Sequence, residues 1–327
     1  MAAKVDLITG FLGAGKTTFI GKYLDVLKKQ GRKAYVIENE FGMLAMDEQL
    51  LKEEGCEDIG GLTGECMCCT GKEHFEEMLV DAAEQGYDRI VVEPSGIYDV
   101  QQFFRSMEQA EVKKTCRIGM ILTIVDPDLS GKHSEDMDFL MYTQLEAAGT
   151  VLMSKVQMAA PGQTEKDLET MNRLMERFGS SRRFDSSNVV MADWDQLTEA
   201  DFLNMQNSGW HENKAGAKGN GTNHREIFGV EVYGDYCKDE EDLKERIRTL
   251  FHDSSFGSIL RVKGHICGTN GQTYLINSTP DVLKAEPCRK TRGVFAVIGQ
   301  GLDHDRIGAC FIPRVQAKKM MRQNQPK

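Results

Sequence analysis

No apolar run in this chain of 327 residues approaches the ~20 residues that a bilayer-spanning helix needs. The opening "MAAKVDLITGF" has no basic stretch leading into a long apolar one, so no secretory signal is expected. A cytoplasmic protein with reduced thiols is the expectation. Basic charge is also in short supply. Lys and Arg number 40 against 50 Asp and Glu, a net charge of -10, which argues against nucleic acid as the main partner, because phosphate binding wants a basic face. The one basic stretch, "RVQAKKMMRQNQPK" from Arg314, is expected to be a solvated terminus. Nine cysteines are an odd number and give no disulfide framework. No internal repeat is present.

What remains is an ordinary globular composition, 40% hydrophobic and 28% charged, on a chain long enough for two domains. Residues 1–205 alternate strand-like and helix-like segments. "KVDLITG", "KAYVIE", "RIVVE", "RIGMILTIVD" and "TVLMSK" are strand-like, two of them almost continuously apolar. "KTTFIGKYLDVLKKQG" and "EHFEEMLVDAAEQG" carry apolar residues at helical spacing, and Gly31 stands where a helix C-cap belongs. That alternation predicts an α/β domain with a mostly parallel sheet wrapped by helices. Residues 206–226, rich in Gly and Asn, read as a linker. From 227 to 327, one helix, "DEEDLKERIRTLFH", accompanies the closely spaced strands "IFGVEVYG", "SILRVKGHIC", "QTYLIN", "VLKAE" and "VFAVIGQ". This predicts a smaller α+β domain with a mostly antiparallel sheet.

"GFLGAGKTT" matches the Walker A pattern, between a strand and a helix as the motif requires. Its glycines turn backbone N–H groups inward around phosphate oxygens, and the following helix N-terminus adds favourable partial charge. Gly10, Gly13, Ala14, Gly15, Lys16, Thr17 and Thr18 are thus candidates to bind a nucleoside triphosphate. Lys16 is expected on the β- and γ-phosphates and Thr17 on Mg²⁺. In "VVEPSG", Glu93 ends a strand where a Walker B acid would face the metal and the attacking water, and Gly96 can offer an amide to a γ-phosphate. Lys16, Thr17 and Glu93 are the candidate catalytic residues. "ENEFG", residues 38–42 and including Glu40, is a candidate first switch.

"ECMCCTG" places Cys66, Cys68 and Cys69 within four positions. Three thiolates suit zinc or a similar ion, but no second Cys pair closes a structural site. Glu40, Cys56, Glu65 and His74 could each be a fourth ligand. A structural knuckle, a redox pair and inert buried thiols are the alternatives; adjacent Cys68 and Cys69 could bridge only through a strained ring. Three strong ligands with a vacancy best fit an exchangeable ion.

Taken together, "GFLGAGKTT", "ENEFG", "CMCC", "EPSG", "LRVKG" and "VFAVIG" occur in an order that resembles the CobW family of P-loop GTPases, relatives of the nickel-insertion GTPases of urease and hydrogenase. The resemblance implies a metallochaperone that binds GTP·Mg²⁺, holds zinc on the C-x-C-C thiols, and recognises a client metalloprotein through its C-terminal domain. This chain departs from the family in three places. Glu65 rather than a glycine precedes Cys66. The linker has only His211 and His224 where many relatives have a histidine-rich stretch. Where GTPases carry Asn-Lys-x-Asp, Ser154, Lys155, Val156 and Gln157 follow the strand. Lys155 can still stack on a base, but Gln157 lacks the charge that strengthens two-donor recognition of guanine. GTP is expected ahead of ATP, with weak discrimination. No arginine finger or catalytic glutamine is assignable, so turnover is expected to be slow. The thiol run lies between the two switches, so metal and nucleotide are expected to bias one bistable unit reciprocally. The competing readings are a nucleotide-gated binding protein with a structural zinc, and an ATP-dependent activator of a cobalt or corrinoid enzyme.

Overall fold

The structure, a computed structural model, describes residues 2–38, 59–61, 71–127, 134–211, 229–280, 282–289 and 293–323. The described residues up to His211 form one compact unit and those from Gly229 another.

The first unit runs β1 (Ala3–Gly10), α1 (Lys16–Lys29), β2 (Ala34–Glu38), β3 (Ile59–Gly61), α2 (Lys72–Glu84), β4 (Arg89–Glu93), α3 (Val100–Met107), α4 (Ala110–Thr115) and β5 (Cys116–Val125). It continues through α5 (Glu135–Ala147), β6 (Thr150–Met153), α6 (Gln163–Arg177), β7 (Val189–Val190) and α7 (Glu199–Gln206). The seven strands form one sheet in the order β3-β2-β4-β1-β5-β6-β7, with every pairing parallel. β1 is therefore central, and its alternate residues serve opposite layers. Val5 and Leu7 join Phe75 and Leu79 of α2 and Phe103 of α3. Ile8 joins Phe19, Ile20 and Leu27 of α1 and Phe202 of α7. Both faces are covered, which explains why the strands read as continuous apolar runs. α1 stops where expected: Gly31 adopts φ 67°, and the Gly31 and Arg32 N–H groups turn back to the Lys28 and Leu27 carbonyls.

One polar device interrupts this core. Asp6, in mid-strand on β1, accepts hydrogen bonds from Arg89 on β4 (2.8 Å), the Tyr23 hydroxyl on α1 (2.7 Å) and the Met120 N–H on β5 (3.1 Å). Burial pushes the Asp6 carboxyl up, while Arg89, Tyr23 and Met120 pull it back. Gly119 makes room for the pair, since a Cβ there would lie 2.2 Å from Asp6 Oδ1.

The expected domain boundary at residue 205 falls within α7, and contacts of the first unit continue past it. The Ile121 N–H donates to the Gly209 carbonyl at 2.9 Å, and the Trp210 ring packs on Phe104 with centroids 5.2 Å apart.

The second unit runs β8 (Gly229–Tyr233), β9 (Tyr236–Cys237), α8 (Glu240–His252), β10 (Ser258–Gly268), β11 (Thr273–Ser278), β12 (Ala285–Cys288), β13 (Val294–Gln300), α9 (His304–Ala309) and α10 (Arg314–Gln323). Its strands pair in the order β12-β11-β10-β13-β8, all antiparallel. Short β9 pairs parallel with β10. Leu243, Ile247 and Leu250 of α8 pack on Val262 and Ile266 of β10 and Phe295 and Val297 of β13. Within the basic tail, expected as a solvated terminus, Arg314–Gln323 form helix α10, in which Ala317 is fully buried. Among the described residues no helix is long and apolar enough to cross a membrane.

Candidate nucleotide site

The loop between β1 and α1 has a backbone that only glycine tolerates at its start. Gly10 has φ 145°, and a Cβ there would lie 2.3 Å from the Ile124 carbonyl oxygen on β5. Gly13 and Gly15 also have positive φ, 82° and 94°, which inverts the chain and directs consecutive amides into the loop. Ala14 is fully buried, Gly13 and Gly15 are half-buried, and Thr18 is exposed. Among the described residues no side chain caps α1 and no acid stands in its first turn. Its first N–H groups and the positive end of its dipole therefore suit an anion. Lys16 is buried, and its ammonium lies over the same loop, donating to the Gly10 carbonyl (3.0 Å) and the Phe11 carbonyl (3.3 Å).

Next to the loop, two strands end in acids. Glu93 closes β4, and its Oε1 accepts a hydrogen bond of 2.9 Å from the Thr17 hydroxyl. Glu38 closes β2 as the direct register partner of Glu93. These carboxylates are 4% and 6% exposed. Burying two acids side by side is costly unless positive charge serves them. A hydroxyl and two carboxylates form a hard oxygen donor set, and Mg²⁺ fits it. The expected switch residue Gly96 is pressed against the phosphate loop, since a Cβ there would lie 2.6 Å from the Leu12 nitrogen. The turn is closed by the Tyr98 N–H on the Ser95 carbonyl (2.9 Å), and Asp99 then caps α3 through the Gln101 N–H (2.9 Å).

A second loop reaches the site after β6. Lys155 has φ 50°, the only positive φ of a non-glycine residue among those described. Its ammonium donates to Asp126 Oδ2 (2.6 Å) and to the carbonyl of Gly13 in the phosphate loop (3.3 Å). The buried Ser154 hydroxyl donates to Asp126 Oδ1 at 3.3 Å. Gln157 stands exposed on the short 3₁₀ turn Val156–Met158. Lys155 thus joins the two loops, and Ser154 and Lys155 meet on one carboxylate.

Two of these residues escaped the sequence reading. Asp126 ends the apolar run of β5 just as Glu93 ends that of β4, and that parallel was available as a signal. Trp194, by contrast, lies in a turn after β7 with no motif around it. A Cβ on Gly15 would come within 3.1 Å of its ring, and its indole N–H donates to the Met153 carbonyl at 3.1 Å. It connects the phosphate loop to the end of β6. Cys66, Cys68, Cys69, Glu40, Cys56 and Glu65 lie outside the described residues. His74 is described, exposed in the first turn of α2. Among the described residues no group of three or more His, Cys, Asp or Glu side chains could hold a metal ion.

Residues 4–184, which include the phosphate loop, Glu38, Glu93, Asp126 and Lys155, match the family described as CobW/HypB/UreG, nucleotide-binding domain. The chain belongs to that family. Among its relatives, the zinc chaperone CobW of Pseudomonas aeruginosa is 35% identical over 132 residues, 37% of this chain and 35% of that protein. The zinc chaperone YjiA of Escherichia coli is 31% identical over 182 residues, 53% of this chain and 55% of that one. The zinc-regulated GTPase metalloprotein activator 1 of Schizosaccharomyces pombe is 28% identical over 169 residues, 47% and 39% of the two chains. This CobW/HypB/UreG chain therefore spans about half or less of the length of these curated relatives. The crystal structure of Zn(II)-bound YjiA GTPase from E. coli is 21% identical, with a TM-score of 0.39, over 95% of this chain and 98% of that one.

Proposed function

We propose that this protein binds GTP with Mg²⁺, hydrolyses it slowly, and uses the cycle to hold zinc or a similar divalent ion and pass it to a client metalloprotein. The observation that carries this reading is the 2.9 Å contact of Thr17 with Glu93 at the foot of the phosphate loop. It brings a P-loop hydroxyl and a strand-end carboxylate together as magnesium-dependent phosphoryl transfer requires. Thr17 and Glu93, with Glu38 beside them, would hold Mg²⁺, which when bound neutralises phosphate charge. The protein's own groups do the rest. The first amides of α1 and the Lys16 ammonium bind phosphate oxygens. Glu93, oriented by Thr17, positions water, and Gly96 offers its amide beside Leu12. Lys155, fixed by Asp126 and Gly13, presents its stem to the base.

The cargo role is assigned to Cys66, Cys68 and Cys69. It is supported by the chemistry of three adjacent thiolates and by relatives named as zinc chaperones. The test measures GTP affinity with and without one equivalent of zinc, and metal content in the wild type and in a variant with serine at all three positions. Zinc that shifts GTP affinity, and metal that disappears with the thiols, are the expected results. Equal affinities, or unchanged metal content, would remove the chaperone reading.

A relaxed base preference is a second reading, favoured by the amide of Gln157 standing where an acid would read guanine. Competition of ATP against bound GTP decides it: displacement at comparable concentrations would establish a triphosphatase that does not select guanine.

A further inference from the structure

α5 buries the polar side chain of Gln144, which hydrogen-bonds outside its own helix. Gln144 is 1% exposed, in the last turn of that helix. Its amide Nε2 donates to two carbonyls of the switch turn, Tyr98 at 3.3 Å and Gly96 at 3.4 Å. The backbone carbonyl of Gln144 is itself held, accepting from the Thr123 hydroxyl on β5 at 2.7 Å. This bond meets a helix-end carbonyl that has no partner within the helix. The amide is thus fixed from behind by the central sheet and points forward into the turn after Glu93.

The same turn is confined on its other side. Gly96 touches the Leu12 backbone so closely that no Cβ fits, and Leu12 is part of the phosphate loop. The turn is therefore clasped between the phosphate loop and Gln144. One amide group has two N–H donors, and here both are spent on carbonyls that bracket Ile97. A rotation of the turn that carried the Gly96 peptide away from the phosphate loop would break at least one of these bonds. At a site this buried, losing such a bond is costly.

We propose that Gln144 is a positioning residue for nucleotide hydrolysis, holding the Gly96–Tyr98 turn against the phosphate loop so that it can answer to the terminal phosphate. This rests on the nucleotide-hydrolysing reading above. A diphosphate lacks the group the turn must meet, so the clasp contributes to the reaction of GTP and not to the retention of GDP.

The experiment compares wild type with Gln144→Met, which keeps length and helix propensity but has no donor. Met141→Ala serves as a control: Met141 is a buried apolar residue of the same helix, clustered with Leu145, Val151 and Met153, so its loss loosens α5 while leaving Thr123 and the amide untouched. Gln144→Leu replaces the methionine variant if that one does not fold. Steady-state GTP hydrolysis and GDP affinity are measured on the full chain with magnesium. The expected result is a fall in kcat of about tenfold or more in the Gln144 variant, with GDP affinity within about twofold of wild type. Met141→Ala is expected to melt earlier with kcat within about twofold of wild type. A Gln144 variant that keeps wild-type kcat overturns the inference while leaving the functional reading intact. A kcat loss of equal size in Met141→Ala overturns it too, by reducing Gln144 to a packing role. A wild type that hydrolyses no GTP sinks the functional reading, and this inference with it.

Discussion

The two sheets of this molecule solve different problems, and the difference shows where chemistry can sit in each. The N-terminal sheet is parallel and covered on both faces. Its strand interiors are spent mostly on packing, with the Asp6–Arg89 pair and the Thr123 hydroxyl among the buried polar exceptions. Polar function is displaced to the carboxyl ends of strands, where Glu38, Glu93 and Asp126 follow their apolar runs within reach of the phosphate loop. That is the place an open α/β sheet reserves for ligands. The C-terminal sheet is almost wholly antiparallel, and β10 alternates. Val262 and Ile266 face its core, while Arg261, Lys263 and His265 occupy the other register. This unit carries polar residues in mid-strand, with Lys263 and His265 themselves buried, and among the described residues it has no equivalent of the strand-end constellation.

The sharpest way to break this comparison is to remove charge from the phosphate loop. Lys16→Ala should lower GTP hydrolysis on the order of 10²–10³-fold, as losing a preorganised cation at a phosphoryl site does. Its thermal melting should stay near that of wild type, and a steady-state assay beside a melting curve checks both. Retained hydrolysis would mean that the strand ends are not the site.

A subtler test uses one tight glycine from each sheet. At Gly10 a Cβ would lie 2.3 Å from the Ile124 carbonyl oxygen, and at Gly264 (φ 137°) one would lie 2.5 Å from the Phe295 Cα. Alanine at either position should cost about 3 kcal/mol from backbone strain and overpacking. Only Gly10→Ala should also weaken nucleotide binding. Denaturant titrations with GTP-binding isotherms check the pair. If Gly264→Ala weakened binding as much, the division of labour between the sheets would be wrong.

The smallest effect belongs to the second unit. Burial opposes ionisation of Asp242. Arg246, gripping it through Nε and Nη2 at 2.7 Å each, and the Lys238 N–H outweigh this and hold its carboxyl below 3.8. A depressed carboxylate contributes stability that is present above its unfolded value and lost as pH falls through the folded one. Asp242→Asn should therefore cost about 0.5–1 kcal/mol at pH 7, and the difference from wild type should shrink towards pH 3. A gap that persists in acid would assign the effect to packing rather than to charge.

What could be read from the sequence follows a pattern. The phosphate loop, α1 and the strand end at Glu93 were legible because each is a contiguous stretch whose geometry its own residues dictate. Gly10, Gly13 and Gly15 adopt the backbone their spacing announces. Helix and strand periods located β1, β2, β4, β5 and β6 in the first unit and β10, β11 and β13 in the second. Short β7 and β9 were not legible, since two residues carry no period. Asp126, Trp194 and Gln144 were missed for another reason. Each acts on a loop far away in the chain, and no local rule connects residue 126 to 155, 194 to 15 or 144 to 96.

By itself the sequence determined that this chain has a glycine-rich Walker A loop, a parallel sheet to carry it, and a run of three thiols after the second strand, because glycine spacing, apolar period and thiol proximity are local properties. Only the tertiary structure decided which acid meets Thr17, which carboxylate holds Lys155 and which amide clasps the switch turn. Those pairings depend on the order in which strands lie in the sheet, and the folding of distant segments sets that order.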